Sequence, residues 1–512
     1  MIPTQPSSTL FTDVHIYDAD QASGMSASTD LLVEDNRISV IGGAARARAG
    51  ADARVIKGGS HHLVVPGLIN AHFHSPANHL KASLPSLPLE LFMLYESPSD
   101  AALTPTPREA YLRTMLGALE MLRTGTTAVQ DDAFIMPFPT PDIIDAIMQA
   151  YADCGIRASV ALDQPELSEA DKLPYLDLID DPAVRAVIDQ QAPMGRADLL
   201  EMYEYLVSTW HGAEGGRLTA ATSVSAPQRV SIEYFEALDD LSRRHGIPLI
   251  AHMLETKLQR ALPCAQPRFA GASLVAYTAG LGLLSKRMNV IHAVWVDDRD
   301  LELIADAGAM IVHNPISNLR LGSGVAPFRR MRDFGITTAL GIDEAICDDS
   351  VNLWGVVKMT GLIHNVSGLD SDLWPSPSEV LESLWHGGAA VMLQPERLGA
   401  VRQGYLADLT LVDLHTLSFT PFNDLRTHLV YCESGTSVRL TMVDGSVAFD
   451  NGRVTTVDEP ALLAETRELF AHKRPAIELA RRNSAFLFPH YQAMVRRAAA
   501  ADLGMSRLVG HP

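Results

Sequence analysis

The sequence predicts an α/β protein: a (β/α)8 barrel of the TIM type, a small β-sandwich built from both terminal regions, and a helical C-terminal tail. In the middle of the chain, eight short apolar runs alternate with helical patterns, which is typical of parallel strands joined by crossover helices. Near both ends the pattern changes to short strands of alternating polarity, separated by Asp-Asn and Gly-containing turns. Residues that can bind a metal follow several of the eight runs, where the active sites of such barrels lie.

The barrel elements are predicted in chain order by these apolar runs and by helical periodicity. Strands are expected at residues 63–69, 126–130, 157–162, 218–224, 248–251, 288–291, 310–312 and 337–340. Helices are expected at residues 108–122, 141–153, 232–244, 299–307 and 328–334, and two more at 353–365 and 377–392. Strands alternating with helices in this way favour a closed parallel barrel.

Three units follow from this order. Residues 1–62 together with 402–457 form the composite β-sandwich, residues 63–401 the barrel, and residues 458–512 the helical extension. The turns at 443–445 and 450–452 read as hairpin turns of the sandwich. The interval 163–217 opens with an Asp- and Pro-rich stretch that suits either a lid over the barrel mouth or a solvated surface insertion. The apolar stripe of the tail packs either on the barrel or on a second subunit.

Composition narrows the function and the compartment. The 512 residues are 47% hydrophobic and 20% charged, as in an ordinary globular protein, and the formal net charge of −20 argues against nucleic acid or an anionic membrane as a partner. The four cysteines lie far apart without a C-x-x-C pair, which suits a reducing compartment. The N-terminus has no secretory signal pattern, and no apolar run reaches the length of a membrane span. We therefore expect a cytoplasmic protein.

The stretch VVPGLINAHFHSP, at residues 64–76, carries a pair of histidines at the end of the first barrel strand. Because side chains alternate along a strand, His72 and His74 point the same way and Phe73 points opposite. Two imidazoles that converge in this way can form half of a metal site. Taken alone, the pair is as readily explained by chance, so the rest of the site must come from other strands.

Other strands supply residues of the right kind at matching positions. His252 ends strand five, with Glu255 three residues on, His292 ends strand six, and Asp343 ends strand eight. The carboxyl ends of all barrel strands meet at one face, so these side chains are expected to lie together with His72 and His74. A chance arrangement of so many polar residues at strand ends is a poor explanation.

In these residues the chain resembles the amidohydrolase superfamily, in particular its branch of cytosine-deaminase-like deaminases and triazine chlorohydrolases. The resemblance covers about residues 8–455 and is carried by PGLINAHFH, GTTAVQD, AHMLE, IHAVWVDD, VHNPISNLRLGSGVAP, LGIDEA and GYLADLTLVDL. It implies one divalent metal held by His72, His74, His252 and Asp343. Zinc suits this ligand set, with Fe(II) or Mn(II) as alternatives. The fourth strand, in TAATSVSAPQ, has no lysine at its end that could bridge a second metal.

The resemblance also implies catalytic roles for Glu255, His292 and Asp343. Glu255 is expected to act as the general acid and base, which requires the chain to leave the strand after His252 so that both side chains face the site. His292 is expected to orient the attacking water or to stabilise the developing oxyanion. Asp343 is expected both to bind the metal and to shuttle a proton.

Four further residues are candidates for binding the substrate: His79, Arg229, His313 and Glu344. A structural or surface position is as good an interpretation of His79, and Arg229 suits an anionic or carbonyl group of a substrate. For His313, at the end of strand seven, shaping the pocket floor is the expectation rather than metal binding. Glu344 departs from the family's Asp-Gly, and it is expected to face a polar substrate group or a basic partner such as Arg320.

Ser317 and Asn318 follow strand seven directly. They are expected to fix that turn by bonds from their side chains to the backbone.

The function predicted from these observations is hydrolysis of a C–N bond of a nitrogen heterocycle, with deamination by a metal-activated water as the favoured reaction. The same site could open a cyclic or linear amide or urea bond, or remove chlorine from a heterocycle. A non-catalytic scaffold is a weaker alternative, since such proteins tend to lose metal ligands. The H-x-E…P-C-x-x-C signature of zinc nucleobase deaminases is absent, so the expected partner is a small molecule. Family resemblance alone favours a homodimer or larger homo-oligomer.

Overall fold

The computed structural model describes residues 8–98, 100–368 and 370–509. The parts of the predicted units at 1–7 and 510–512 lie outside these residues. The chain begins with five strands of the terminal domain: β1 (Ser8–Ile16), β2 (Thr29–Glu34), β3 (Arg37–Ile41), β4 (Arg54–Lys57) and β5 (His62–Pro66). Strand β1 pairs with β2 and β4 through its first part and with β5 at His15 and Ile16, so it joins the two halves of this domain.

The barrel strands follow. They are β6 (Leu68–Phe73), β7 (Thr126–Ala133), β8 (Arg157–Leu162), β9 (Leu218–Ala220), β10 (Thr222–Ser223), β11 (Leu249–Met253), β12 (Met288–His292), β13 (Met310–His313) and β14 (Thr338–Leu340). All neighbours pair in parallel, in the order β6-β7-β8-β9 and β10-β11-β12-β13-β14. The fourth strand is interrupted at Ala221, so β9 and β10 share one of the eight positions.

The barrel closes where the last strand meets the first. The backbone N–H of Asp343 donates to the carbonyl of His72 (3.0 Å), and Phe73 forms a parallel bridge with Asp343. Inside, the wall positions are filled by small and branched side chains such as Ile69, Ala128 and Ile250. The predicted barrel is therefore confirmed, and its mouth lies at the carboxyl ends of the strands.

One predicted strand is wrong in its extent. The apolar run at 63–69 forms two strands, β5 and β6, rather than one. Strand β5 pairs antiparallel with a strand near the C-terminus, so only β6 belongs to the barrel. The physical reason is a close approach at Gly67, where a Cβ would lie 2.1 Å from the Thr127 side chain, so the chain passes from one sheet to the other there. Apolar content alone does not show this break.

The C-terminal strands complete the terminal domain. They are β15 (Leu409–Asp413), β16 (Val438–Val443), β17 (Ser446–Asp450) and β18 (Arg453–Val454), and β15 pairs with β5. Both predicted hairpin turns are present: Asp444-Gly445 and Asn451-Gly452 have positive φ at both central positions, as a type I′ turn requires. The two halves share a core of residues from both ends of the chain, including Phe11 and Leu409.

A buried ion-pair network joins this domain to the bottom of the barrel. Arg157, at the start of β8, lies 2.8 Å from Asp408 and 2.8 Å from Asp444, and its side chain is only 2% exposed. A guanidinium that pairs with two carboxylates in this way is far less costly to bury than an isolated charge. The network therefore fixes how the terminal domain sits on the barrel.

Helices cover the outside of the barrel and one side of its mouth. The longer ones are Pro107–Arg123, Pro141–Cys154, Arg196–Trp210, Ile232–His245, Lys257–Ala265, Asp298–Ala307 and Leu353–Ile363, followed by the C-terminal Glu459–Ser484 and Phe488–Ala500. The last of these packs on the same chain, with Tyr491 and Met494 buried against Leu91 and Leu258. Among the described residues, no helix is both long and apolar enough to cross a membrane.

Candidate metal centre and active site

Three histidines and one aspartate converge at the barrel mouth. His72 Nε2 lies 3.1 Å from His252 Nε2 and 3.6 Å from Asp343 Oδ1, and His74 Nε2 lies 3.4 Å from Asp343 Oδ1. A tetrahedral metal with bonds of about 2.1 Å needs donor atoms about 3.4 Å apart. His72, His74 and Asp343 thus already lie close to the spacing of a metal site, and His252 adjoins them through His72.

Backbone carbonyl groups set the orientation of two of these imidazoles. The Nδ1 of His252 lies 2.8 Å from the carbonyl oxygen of Ser225, and the Nδ1 of His74 lies against that of Asp132. A carbonyl oxygen can only accept, so Nδ1 carries the hydrogen and Nε2 presents its lone pair to the centre. Such outer contacts are typical of metal-binding histidines.

The protonation states also suit a metal. Burial, followed by the neighbouring imidazoles, lowers the pKa of His72 and of His252 well below the usual value. Both rings are therefore neutral at pH 7 and can donate electron pairs. The Nδ1 of His72 is buried and has no hydrogen-bond partner among the described residues. This donor set of imidazoles and one carboxylate fits a divalent transition metal.

Glu255 and His292 stand beside this cluster. The chain leaves β11 at Leu254, whose φ of +54° turns Glu255 toward the mouth although strand alternation would point it away. Glu255 Oε2 then lies 3.6 Å from His292 Nε2, which is 3.8 Å from Asp343 Oδ2. Burial, then the charges of Asp343 and Glu90, raise the pKa of Glu255 well above its usual value. The geometry required for an acid and base at this position is present.

Two residues of the turn after β13 do more than the sequence predicted. The Ser317 hydroxyl donates to Asp343 Oδ2 (2.6 Å), and Asn318 Oδ1 accepts from His292 Nδ1 (2.9 Å). The expected bonds from these side chains to the backbone of their own turn are replaced by bonds to Asp343 and His292, because the short helix Pro315–Arg320 carries both residues over the barrel mouth. With the amide oxygen of Asn318 facing the ring, Nδ1 of His292 carries the hydrogen and Nε2 faces Glu255.

Two aspartates at the ends of β7 and β8 were missed in the sequence. Asp132 accepts from the Ser223 hydroxyl (3.0 Å) and lies 4.0 Å from His252 Nδ1, and Asp163 Oδ2 lies 3.9 Å from His74 Nδ1. Burial and the neighbouring Asp163 raise the pKa of Asp132. Their positions at strand ends, in VQDD and ALDQ, were a signal that could have been used.

The fold and the geometry can be compared with known proteins. The sequence matches the amidohydrolase family over residues 63–448, which is most of the chain.

This chain belongs to the amidohydrolase family.

It is accordingly a hydrolase that acts on carbon–nitrogen bonds other than peptide bonds, and the alternative of a non-catalytic scaffold is set aside. A 5-methylthioadenosine/S-adenosylhomocysteine deaminase of Nitratidesulfovibrio vulgaris is 33% identical over 452 residues, which cover 86% of this chain and 93% of that protein. Among solved structures, a zinc-bound adenosine deaminase of Xanthomonas campestris has a TM-score of 0.78 and 24% identity, covering 92% of this chain and 100% of the other. A zinc complex of the atrazine chlorohydrolase of Arthrobacter aurescens has a TM-score of 0.78 and 24% identity, covering 90% and 99%. The predicted family and branch are thereby confirmed.

A cavity of about 300 Å³ lies next to this group of side chains at the barrel mouth: its lining includes Arg229 and also Gln259, whose Oε1 accepts from the Glu255 N–H. Its walls are mostly apolar and come from several parts of the chain, which include the helix Leu89–Glu96, the segment 164–194, and the C-terminal extension through Leu487 and Tyr491. Part of the interval 163–217 thus borders the cavity, and its role as a lid stays a prediction.

Arg229 lies where the cavity meets the cluster. Its Nη1 donates to the Ser225 hydroxyl (3.1 Å), and its charge lowers the pKa of His252 and opposes the rise at Glu255. The guanidinium therefore sits within reach of both the cavity and the cluster, as a substrate-binding residue would.

His313 does not face the cavity. Its Nε2 lies 3.1 Å from His364 Nε2, and its ring lies 5.9 Å from that of Phe328. Alternation along β13 puts Val312 inside the barrel and His313 on the helix side, and the predicted contact of His313 with substrate stays a prediction.

Glu344 is buried, but its expected partner lies elsewhere. Arg320 pairs with Asp349 (2.9 Å), while Glu344 accepts from the Cys347 thiol (3.6 Å). Burial, then the charges of Glu96 and Asp343, raise the pKa of Glu344. The expected pairing of Glu344 with Arg320 is therefore wrong, and a contact of Glu344 with a substrate stays a prediction.

His79 lies against the C-terminal extension. Its ring is 4.9 Å from that of Phe470, and its Nδ1 lies 3.1 Å from the carbonyl oxygen of Pro76. It lines a small cavity that shares Ser97 and Phe134 with the larger one. Its predicted contact with substrate stays a prediction.

Proposed function

We propose that this amidohydrolase removes an exocyclic amino group from a nitrogen heterocycle by hydrolysis, with adenine nucleosides as the first substrate class to test. The observation that carries the proposal is the convergence of His72, His74, His252 and Asp343 next to Glu255 and His292. The nucleoside class is supported by the 33% identity to a deaminase of 5-methylthioadenosine and S-adenosylhomocysteine.

We propose zinc as the metal, held by the three histidines and Asp343. The neutral imidazoles and the spacing of the donor atoms support this choice, and relatives of the same fold carry zinc. When bound, the metal lowers the pKa of a water ligand from 15.7 to about 7 and so makes hydroxide available at neutral pH. Ser317 holds the second oxygen of Asp343, which keeps the first directed at the other ligands.

Glu255 and His292 handle the protons of the reaction. Overall, the N=C–NH2 unit of the heterocycle and water become an HN–C=O unit and ammonia. Both protons of the water therefore leave its oxygen, one for the ring nitrogen and one for the departing nitrogen. The raised pKa of Glu255 suits this exchange, because a carboxyl that holds a proton more tightly than usual is a better base and can return that proton as an acid. Oε1 of Glu255 is buried and has no partner among the described residues, so it is free to face the heterocycle. His292, whose Nδ1 is held by Asn318, would use Nε2 to accept a hydrogen bond from the attacking water and so orient it.

The cavity suits the remainder of the substrate. The heterocycle would lie toward Glu255, and a substituent of apolar character would extend between Met93, Met136 and Leu487. Arg229 could hold a polar or anionic group where the two parts meet. A cavity of about 300 Å³ is at the small end of the range for small-molecule sites.

The test is a panel of substrates with three separate readouts on metal-analysed protein. Adenosine, 5-methylthioadenosine, S-adenosylhomocysteine, cytosine, guanine and an aminotriazine are followed for ammonia release. A cyclic urea is followed for a new carboxylate, and a chlorotriazine for chloride. Ammonia from the adenine nucleosides supports the proposal. A new carboxylate or chloride without ammonia would show one of the two other predicted reactions instead.

A further inference from the structure

A second group of metal-capable side chains lies on the terminal domain. His61 and His62 precede and begin β5, and Asp413 ends β15, the strand paired with β5. Their ligand atoms all lie within 4.8 Å of one another. None of these residues belongs to the barrel mouth, and no step of the proposed reaction uses them.

We propose that His61, His62 and Asp413, together with His415, form a second site for a divalent transition metal such as Zn²⁺. The site would connect β5 to β15, and thus the N-terminal to the C-terminal half of the terminal domain.

The strand pairing explains why these residues meet. Asp413 stands directly opposite His62 in the antiparallel register, and the Leu414 N–H donates to the carbonyl of His61 (2.8 Å). Directly opposed residues on one face of a sheet have their Cβ atoms about 5 Å apart. The register therefore fixes one imidazole and one carboxylate as neighbours before any ion binds.

The imidazoles are oriented as in the barrel centre. The Nδ1 of His61 lies 3.0 Å from the carbonyl oxygen of Gly59, and the Nδ1 of His62 lies 2.7 Å from that of Gly58. Since a carbonyl only accepts, both Nδ1 atoms carry hydrogen and both Nε2 atoms present lone pairs. His74 and His252 are held by carbonyl groups in the same way. This contact is typical of metal-binding histidines.

The spacing of the rings also matches. The ring of His61 lies 4.4 Å from that of His62, compared with 4.6 Å between His72 and His74. The ring of His415 stacks on that of His61 at 4.4 Å with an angle of 10° between their planes, so it must rotate to bind the same ion. His415 is exposed, so its ring can turn its nitrogen to an ion. Donor atoms within 4.8 Å need to move only a little to reach the roughly 3.4 Å of a tetrahedral site.

Asp413 has capacity left for an ion. Its Oδ1 accepts from the His415 N–H (2.8 Å), and its Oδ2 accepts from Arg439 (2.9 Å). A carboxylate offers about four lone-pair sites, so at least one remains. The competing guanidinium and the partial exposure of the group predict weaker binding here than at the barrel mouth.

The experiment counts ions in untagged full-length protein that has been freed of metal with a chelator. Zn²⁺ is titrated by calorimetry, and bound metal is measured by elemental analysis after gel filtration. We expect two ions per chain in the wild type, the weaker of which raises Tm in a concentration-dependent way. The double variant His61→Ala/His62→Ala should bind one ion and keep its catalytic activity, which also shows that it folds. His472→Ala, at an exposed histidine of the C-terminal extension, is the matched control and should still bind two.

A wild type that binds one ion at saturating Zn²⁺ would overturn the proposal, and so would a double variant that still binds two. Should the double variant fail to fold, His415→Ala removes an exposed ring only, and it should weaken the second ion at least several-fold while leaving the first. Crystals soaked in Zn²⁺ give an answer without any variant. An anomalous peak among His61, His62 and Asp413 supports the site, and a peak at the barrel mouth alone refutes it.

Discussion

Exchange of Glu255 for glutamine tests the catalytic core of the proposal most directly. The amide has the size and shape of the carboxyl, so the fold should accept it. The backbone N–H of Glu255, which donates to Gln259 Oε1 (2.8 Å), is unaffected. The change removes the one property that the mechanism needs from this side chain, because an amide cannot exchange a proton near neutral pH.

The expected size of the effect follows from the position of the group. Glu255 is 3% exposed and lies 3.6 Å from His292 Nε2, so bulk water is a poor substitute for its proton transfer. General acid–base catalysis contributes about 10²–10⁴-fold to the rate. A loss of this size corresponds to about 3–5 kcal/mol in the activation barrier. The loss should fall on kcat, since the metal ligands and the cavity walls are unchanged.

The assay compares kcat for ammonia release, metal content and Tm in wild type, Glu255→Gln and Glu433→Gln. Glu433 is a matched control: it is also buried, but its carboxylate accepts from the Gly435 and Ser437 N–H groups in the terminal domain. We expect normal metal content in all three proteins and a loss of kcat in Glu255→Gln alone. A Glu255→Gln enzyme that holds its metal and turns over at the wild-type rate would refute the acid and base role.

Three further predictions concern metal affinity, specificity and acid stability. Ser317→Ala removes the hydroxyl that holds Asp343. Metal affinity, measured by competition with a chelator, should fall by about 10–100-fold. An unchanged affinity would contradict the positioning role of Ser317. Leu487→Ala removes part of the apolar wall of the cavity. The kcat/KM for nucleosides with an apolar 5′ substituent should then fall by roughly 10-fold, while that for adenosine changes little. An equal loss for both substrates would show that Leu487 does not contact the 5′ substituent. Burial lowers the pKa of His364, which lies beside His313, from 6.5 to about 4. Between these pH values the unfolded chain binds a proton at this histidine and the folded protein does not. The free energy of unfolding should therefore fall as the pH is lowered from 6.5 to 4, by up to about 3 kcal/mol. In His364→Gln the decline of Tm over that range should be shallower, and an identical decline would show that other groups cause it.

Much of the site could be predicted because strand ends are visible in the sequence. His252 and Asp343 stand at the ends of apolar runs in the sequence, and this position alone predicts that both lie at the carboxyl-terminal face of the barrel. The prediction needs only the rule that parallel strands present their carboxyl ends at one face. The hairpins of the terminal domain were equally visible, because Asp-Gly and Asn-Gly suit positive φ angles.

What the sequence did not show has a different physical cause. His313 follows an apolar run as His252 does, but it falls on the other phase of the strand and meets His364 instead. Ser317 and Asn318 were assigned to their own turn, because the direction of a short helix after a strand depends on tertiary packing. No local pattern specifies which distant carboxylate or imidazole such a helix will reach.

The cavity illustrates a further limit of the sequence. Its walls include a helix near residue 90, the segment 164–194 and the C-terminal extension, which lie far apart in the sequence. Each part looks like ordinary amphipathic surface when taken alone. Only the packed structure shows that Leu487 and Tyr491 line the same cavity as Met93. Under the proposed function, the apolar substituent of the substrate would therefore be selected by parts of the chain that carry no catalytic motif.

The mouth of the barrel departs from regular strand geometry where its chemistry lies. Ser225, Leu254, His292 and Asp343 all have φ between +54° and +70°, a conformation that costs a non-glycine residue about 1–3 kcal/mol. Each turn changes the phase of its strand: at Leu254 it brings Glu255 inward, and at Ser225 it aims a carbonyl at His252. Regular alternation of side chains along a strand would have pointed Glu255 outward, toward the surrounding helices. The strain is therefore the structural means by which four strands deliver side chains of both phases to one centre, and the closed core beneath them supplies the stability that holds them there.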